Sequence, residues 1–311
     1  MNRQQVRIGT RASKLAVTQS ELVRAAIVGA LGGDDAAAVL VRITTSGDRI
    51  QDRRLMDIGG KGLFTREIEE ALLDGRIDCA VHSLKDMPAA APPGLVIAAV
   101  PEREDPRDAF LSAGWADLAS LPPGARLGTA SLRRQAQSLF ARPDLKVLPM
   151  RGNVDSRIAK LAAGEADAIL LAMAGLKRLG LAGAARSLID PVASPPAPGQ
   201  GALAIQTRAA DVGEAWLAPL RHGPTALAVA AERGALTALE GSCRTAVGAY
   251  ARLEGARLLL VVEALTPDGS RRFRREGESE TASGEGAARD LGIRLGLEIA
   301  REGGEALLVP A

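Results

Sequence analysis

Two residues have the type and setting for covalent or electrostatic chemistry. Cys243, in Glu240-Gly241-Ser242-Cys243-Arg244, has small residues on its N-terminal side that leave the sulfur accessible. Its neighbour Arg244 favours the nucleophilic thiolate. The other cysteine, Cys79, lies in the apolar run Ile77-Asp78-Cys79-Ala80-Val81, where a free cysteine behaves as a small buried hydrophobe. Asp86 stands in Ala80-Val81-His82-Ser83-Leu84-Lys85-Asp86-Met87-Pro88, just past a run that reads as a buried strand. Open α/β sheets bind ligands at such strand ends, so Asp86 can serve as acid, base or ion-pair partner with Ser83 and Lys85 as anion donors. Each residue also has a plain structural reading, an inert packing cysteine and a turn aspartate ahead of a proline.

The cations narrow the choice. Between Arg126 and Arg186 the chain carries eleven Lys and Arg against Asp144, Asp155, Glu165 and Asp167. A solvated charged face is the usual meaning of such a run, but Arg133 and Arg134 follow Gly128-Thr129-Ala130-Ser131, and Arg151 precedes Gly152-Asn153 after a strand pattern. Guanidinium groups at strand-to-helix junctions suit carboxylates and phosphates, and several together suit a polyanion. Two phosphate motifs fail: Gly59-Gly60-Lys61-Gly62 lacks the first glycine and the Ser or Thr of a P-loop, and Gly199-Gln200-Gly201 follows a proline-rich stretch where a dinucleotide fingerprint needs a strand. A glycine-rich loop around Lys61 remains suited to covering a site.

The elements that must position these residues follow from composition and periodicity. In 311 residues, 47% are apolar and 2% aromatic, so aliphatic side chains fill the cores. The 39 Lys and Arg nearly balance the 37 Asp and Glu, and the scarcity of stacking platforms speaks against single-stranded nucleic acid. His82 and His222 are the only histidines, and with no CxxC the sequence offers no metal site. No signal-peptide pattern or membrane-spanning apolar run is visible, so a cytoplasmic protein without membrane association is expected.

Strands are predicted over residues 39–44, 79–82, 95–100, 146–149, 168–172 and 202–206, with helices over 14–28, 65–73, 131–140 and 154–163. The alternation argues for α/β units with parallel sheets. Ile8-Gly9-Thr10-Arg11-Ala12-Ser13 and Leu127-Gly128-Thr129-Ala130-Ser131 both close a strand pattern and open a helical one, so two lobes are expected to share one plan. In each, the glycine is expected to permit a tight turn and the serine to cap a helix whose N–H groups favour an anion. Pro101 to Pro106 and Pro191 to Gly199 read as crossings between lobes. Past His222 come a helix over 225–239, the Cys243 loop, strands around 258–264 and a last helix from Ser283, read as its N-cap, to Arg301. The expected domains are 1–101 with 199–219, a basic central lobe over 106–194, and a cysteine domain over 222–311.

The order and spacing of motifs over nearly the whole chain resemble the porphobilinogen deaminase family, the hydroxymethylbilane synthases. The resemblance rests on Gly9-Thr10-Arg11-Ala12-Ser13, Gly59-Gly60-Lys61-Gly62-Leu63-Phe64, His82 to Pro88, Arg103 to Phe110, Gly128 to Arg134, Arg151-Gly152-Asn153, Ala174 to Leu179, Pro198 to Ala202 and Gly241-Ser242-Cys243. It implies two lobes like type II periplasmic binding proteins, with mixed, mainly parallel sheets and an active-site cleft between them, plus a smaller C-terminal α/β domain.

It also implies a dipyrromethane cofactor held to Cys243 by a thioether. Four porphobilinogens would be joined to this primer head to tail with loss of ammonia, and hydrolysis would then release the linear tetrapyrrole. Asp86 would be catalytic, stabilising the azafulvene cation that ammonia loss creates. Ser83, Lys85, Asp86, Thr129, Ser131, Arg133, Arg134, Arg151 and Gly152 would bind the cofactor. Arg11, Ser13, Arg151, Arg157, Arg178 and Gln200 would bind substrate, and Lys61 and Phe64 would belong to a mobile loop. A monomer binding no nucleic acid is expected.

The chain departs from the family pattern at Ala130, where many relatives have serine, at Asp57, and at Arg244 and Thr245 after the cysteine. A two-lobed anion sensor would explain lobes and arginines without Cys243 or a third domain. A nucleic-acid binder draws only on the basic lobe.

Overall fold

The structure is a computed structural model and describes residues 5–49, 65–239 and 245–309. The described residues form two compact units, one from 5–49, 65–104 and 201–226, the other from 105–200 and 227–309.

In the first unit, β1 (Val6–Arg11), β2 (Ala38–Ile43), β3 (Cys79–Ser83), β4 (Leu95–Ala99) and β10 (Leu203–Arg208) make a sheet of order β2-β1-β3-β10-β4. Strands β2, β1 and β3 run parallel, and β10 lies antiparallel to both neighbours. Helices cover both faces, as a largely buried sheet requires. Val23 and Ile27 of α1 (Lys14–Ala30) join Ile8, Val81, Ile205, Trp216 and Leu217 in one core, and Ile68, Ala71 and Leu72 of α2 (Arg66–Leu73) join Ile77, Ala80 and Leu95 in another. Sequence places these elements within two or three residues; β10 extends two residues further than expected, because Thr207 and Arg208 go on pairing with Val96 and Leu95 of β4.

The second unit repeats the plan. β5 (Asp108–Ser112), β6 (Arg126–Gly128), β7 (Lys146–Leu148), β8 (Ala168–Ala172) and β9 (Ser187–Leu188) take the order β7-β6-β8-β5-β9. β7, β6 and β8 are parallel, and β5 is antiparallel to β8 and β9. Helices α3 (Leu132–Ala141), α4 (Val154–Ala162) and α5 (Met173–Arg178) follow β6, β7 and β8.

The repeat extends to single residues. Gly9 pairs with Ala80, and Gly128 with Ile169. At the opposite strand ends, Asp78 N donates to Arg7 O (2.8 Å) and Asp167 N to Arg126 O (2.9 Å). The side chains close each ring: Arg7 Nη2 lies 3.0 Å from Asp78 Oδ1, and Arg126 Nη2 lies 2.8 Å from Asp167 Oδ1. The two glycines serve packing, not the expected turn, because neither has a positive φ. A Cβ on Gly9 would collide with the Ile77 side chain, and one on Gly128 would sit 2.8 Å from Met150 Cε and 3.1 Å from Ile169 Cγ2.

Residues 227–309 add a sheet of different character, the fully antiparallel β11 (Ala246–Glu254), β12 (Arg257–Leu265) and β13 (Arg272–Glu280). Sequence marks β12 by its apolar run. β13 escapes it because Phe273 alone of its nine residues is buried. Helices α6 (Gly223–Ala238) and α7 (Gly284–Gly303) contribute Ala231, Ala235, Leu291, Leu295 and Ile299 to the core against this sheet. The helices approach closely, since a Cβ on Gly292 would strike Ala231 O and one on Gly296 would lie 2.7 Å from Ala238 Cβ. Ser283 does not cap α7 as expected: its own backbone is helical, its hydroxyl makes no capping bond, and Gly284 at φ 79° opens the helix.

Candidate active site

In the first unit the expected residues gather at the C-terminal ends of β1 and β3. Ser13 takes an extended conformation and its hydroxyl accepts from Ala16 N at 3.3 Å, capping α1 next to Arg11. Ser83 ends β3, and its hydroxyl exchanges hydrogen bonds with the buried amide of Gln19, 3.0 Å from Nε2 and 3.3 Å from Oε1. Lys85 and Asp86 occupy the 3-10 turn Leu84–Asp86. That turn is pinned from below: Leu84 and Met87 are buried, Leu84 N donates to Ala202 O (3.0 Å), and Met87 N to Leu84 O (3.1 Å). Asp86 is thereby held on a fixed backbone with its side chain exposed.

Beneath the turn, His82 Nε2 lies 3.1 Å from Gln206 Oε1, and Gln206 Nε2 donates to the buried Glu69 Oε1 at 3.1 Å. Burial, reinforced by the charge of Arg11 against the bond to Gln206, pushes the His82 pKa down to about 4. His82 is therefore a neutral member of a buried chain. Cys79 is fully buried, and desolvation pushes its thiol far up, which leaves it inert as expected.

In the second unit the neighbouring ends of β6 and β7 are stitched together, with Thr129 N donating to Leu148 O (3.0 Å) and Met150 N to Thr129 O (3.3 Å). Two helices start there. Ser131 accepts from Arg134 N at 3.4 Å to cap α3, and Asn153 Oδ1 accepts from Ser156 N at 2.8 Å to cap α4. Gly152 has φ 122°, and a Cβ there would strike Ser156 Oγ. Arg157 Nε donates to Gly152 O (2.8 Å) and Lys160 Nζ to Arg151 O (3.2 Å), fixing the loop. Arg178 ends α5 beyond β8.

Arg133, Arg134 and Gln200 converge on a residue to which sequence reading gave no role, Asp108. Arg133 Nη1 donates to Asp108 Oδ2 (2.7 Å), Arg134 Nη2 to Oδ1 (2.8 Å), and Gln200 Nε2 to Oδ1 (2.8 Å). Arg134 Nη1 also reaches Leu170 O at 2.9 Å. Burial opposes ionisation of Asp108, but the charges and hydrogen bonds of the two arginines outweigh it and hold the carboxyl well below the usual range. Two buried guanidiniums against one carboxylate leave a net positive centre.

Two donors of the basic region are buried without a hydrogen-bond partner among the described residues, Arg133 Nε and Arg151 Nη1. An orphaned buried cationic donor is costly, and an anion that completes it is one way the cost is met. This donor set fits the acetates and propionates of a dipyrromethane. No group of His, Cys, Asp and Glu among the described residues could hold a metal ion. Cys243, Lys61 and Phe64 lie outside the described residues, as do Asp57 and Arg244. In the chain, Cys243 falls between α6 and β11.

The family model described as "Porphobilinogen deaminase, dipyromethane cofactor binding domain" matches residues 6–214, and "Porphobilinogen deaminase, C-terminal domain" matches residues 226–301. The chain belongs to the porphobilinogen deaminase family. Proteins named porphobilinogen deaminase from Caulobacter sp. (strain K31) and Phenylobacterium zucineum (strain HLK1) are 66% and 62% identical to it, over 99% and 98% of both chains in each pair. Among solved structures, a periplasmic substrate-binding protein of an ABC transporter from Coxiella burnetii aligns at TM-score 0.46 and 17% identity, covering 74% of this chain and 97% of that one. Gln19 and Asp108, which hold the expected site residues Ser83, Arg133 and Arg134, were not found by sequence reading. One signal was present: Gln19 and Gln137 each stand six residues past the capping serine of the repeated segment.

Proposed function

We propose that the chain acts as a hydroxymethylbilane synthase, with Asp86 as catalytic residue and Cys243 as thioether anchor of the dipyrromethane. When bound, that group supplies the nucleophilic pyrrole carbon and remains as primer. Arg133 Nε and Arg151 Nη1, with Thr129, Ser131, Arg134, Gly152, Ser83 and Lys85, take up its carboxylates. Arg11, Ser13, Arg157 and Arg178 orient the carboxylates of incoming porphobilinogen, and Lys61 and Phe64 exclude water from the loop side. Gln200, expected to bind substrate, instead holds Asp108, because both its amide protons go to Pro106 O and Asp108.

Asp86 faces the positive charge that develops on porphobilinogen as ammonia leaves. A carboxylate already fixed on a rigid turn stabilises that charge without reorganisation. Its exposed position is suited to this role, because a buried carboxylate such as Asp108, its charge already outweighed by two arginines, has no field left to offer. Four condensations and one hydrolysis yield the linear tetrapyrrole.

The 66% identity over nearly the full chain to a protein named porphobilinogen deaminase supports the reaction, and the arginine donors without a partner among the described residues support the site. We assign function to three domains, 1–101 with 199–219, 106–194 and 222–311, and place the protein as a monomer in the cytoplasm without nucleic-acid partners. No helix among the described residues is long and apolar enough to cross a membrane.

The intact mass of the denatured protein beside Cys243→Ser tests the reading. The parent is expected to carry the dipyrromethane increment and the variant to lack it. An increment that persists in Cys243→Ser places the anchor elsewhere, and a bare parent that stays bare with porphobilinogen overturns the reaction.

A further inference from the structure

We infer that Gln137 is a positioning residue for this reaction, clamping Arg133 so that its Nε serves the cofactor and tying that arginine to the strand pair that follows the Cys243 loop. The inference rests on the reading of Arg133 as a cofactor residue.

Gln137 lies one turn beyond Arg133 on α3, the spacing at which helical side chains meet. Arg133 Nη1 donates to Gln137 Oε1 at 2.7 Å. Gln137 Nε2 donates to Pro195 O at 2.8 Å and to Glu263 Oε1 at 2.7 Å. A guanidinium can only donate and the Pro195 carbonyl can only accept, so the amide has one workable orientation. With both amide protons and the oxygen engaged, Gln137 works as a fixed connector. Arg133 Nη1 is consumed by Asp108, Gln137 and Pro195 O, while Nε keeps no partner among the described residues.

The far end of the connector explains its use. Glu263 sits in β12 opposite Gly248 of β11, the strand entered from the Cys243 loop. Gly248 packs on the same Pro195, whose Cβ would lie 3.1 Å from a Cβ added there. Glu263 is 1% exposed, so its carboxylate depends on Gln137 and on Arg274 Nη1 at 3.9 Å. The bridge from Arg133 through Gln137 to Glu263 thus ties a carboxylate-binding arginine to the sheet whose first strand follows Cys243 in the chain. The first lobe supplies an independent parallel, since Gln19 at the matching helix position holds Ser83, another residue assigned to the cofactor.

The test uses the full-length protein as purified. The fraction carrying the dipyrromethane mass is measured, then the rate at which the unloaded fraction gains it from porphobilinogen, beside urea unfolding. Gln137→Glu keeps the shape but sets two carboxylates against each other. It is expected to slow loading about 10-fold, the scale of coupling between contacting groups. Adding Glu263→Gln reverses the pair, so that the introduced amide donates to the carboxylate at 137 while Pro195 O keeps its bond from Arg133 Nη1, and should return loading to within about 3-fold of the parent. A merely structural role would move the unfolding midpoint without this rescue.

Arg133→Lys, which keeps the charge beside Asp108, separates the two levels of the argument. Normal loading in folded Gln137→Glu with slowed loading in Arg133→Lys overturns the role of Gln137 and leaves Arg133 in place. Normal loading in both removes Arg133 from the cofactor and the inference with it. Failure of the folded double variant to load overturns the link through Glu263, including where Gln137→Glu itself does not fold.

Discussion

The two lobes carry one framework and spend it differently. Register fixes the correspondence: Leu203 of β10 lies opposite Ser83, and Asp108 of β5 lies opposite Ala172, each three residues past the position paired to the strand glycine. Counting from the capping serines, Leu15 and Ala16 match Arg133 and Arg134, and the backbone N–H of Ala16 and of Arg134 serve the same cap. Where the first lobe has Leu15, Ala16 and Leu203, the second therefore has Arg133, Arg134 and Asp108. Past the third strand the asymmetry reverses, with Ser83, Lys85 and Asp86 in the first lobe against Ala172, Ala174 and Gly175 in the second. One lobe builds a buried cationic centre and the other an exposed carboxylate. A shared fold thus leaves the choice of charge to a few positions around the same strand ends.

The largest way to break this comparison is to remove the buried anion. Asp108→Leu, the residue of the first lobe, strands two desolvated guanidiniums and is expected to cost about 3–5 kcal/mol. Converting all three positions, with Arg133→Leu and Arg134→Ala, should recover most of that loss, because an apolar set of similar volume replaces a buried ion network at little net cost. The triple variant should fold yet fail to retain dipyrromethane, read by urea unfolding and intact mass. Recovery of neither stability nor fold would show that the lobes are not interchangeable here.

The pH dependence has a definite sign: Asp108 is depressed in the folded state, so its contribution is present above the ordinary aspartate pKa near 4 and is lost as pH falls below it. The triple variant should lack that component of acid unfolding.

Asp86 gives the converse test. Asp86→Asn is expected to lower turnover by about 10²-fold or more, while the urea midpoint stays put because the side chain is exposed on a turn anchored by Leu84 and Met87. Retained turnover would move the developing charge to another group. A falling midpoint would mean that the carboxylate belongs to the framework.

Much of this was legible in the sequence. Apolar runs and serine caps locate the strands and helices because burial and orphan N–H groups act locally. The family motifs locate the strand ends. What escaped depends on pairing at long range. Asp108 reads as one charge in an Arg- and Asp-rich stretch until β5 joins β8 and brings it under α3. Arg7–Asp78 and Arg126–Asp167 close over 71 and 41 residues and show no short spacing to find. Gly9 and Gly128 read as turn residues, since a strand glycine pressed against a neighbouring side chain looks the same in sequence. β13 carries one buried side chain, too few for an alternation to show.

The finest test of the comparison uses the two caps. Ser13→Ala and Ser131→Ala should each cost about 1 kcal/mol of stability, the usual worth of an N-cap. Their functional effects should separate, because the cap of α1 stands beside Arg11, proposed for the substrate, and the cap of α3 holds the backbone of Arg134, proposed for the cofactor. Ser13→Ala is expected to raise KM for porphobilinogen with the loaded fraction unchanged. Ser131→Ala should lower the loaded fraction and leave KM of the loaded enzyme near that of the parent. Asn153→Ala serves as a reference, since its cap at 2.8 Å opens α4 beside Arg151 and Gly152 and should follow the cofactor pattern. If Ser13→Ala and Ser131→Ala shift the same parameter, the division of labour between the lobes lies elsewhere than at their repeated strand ends.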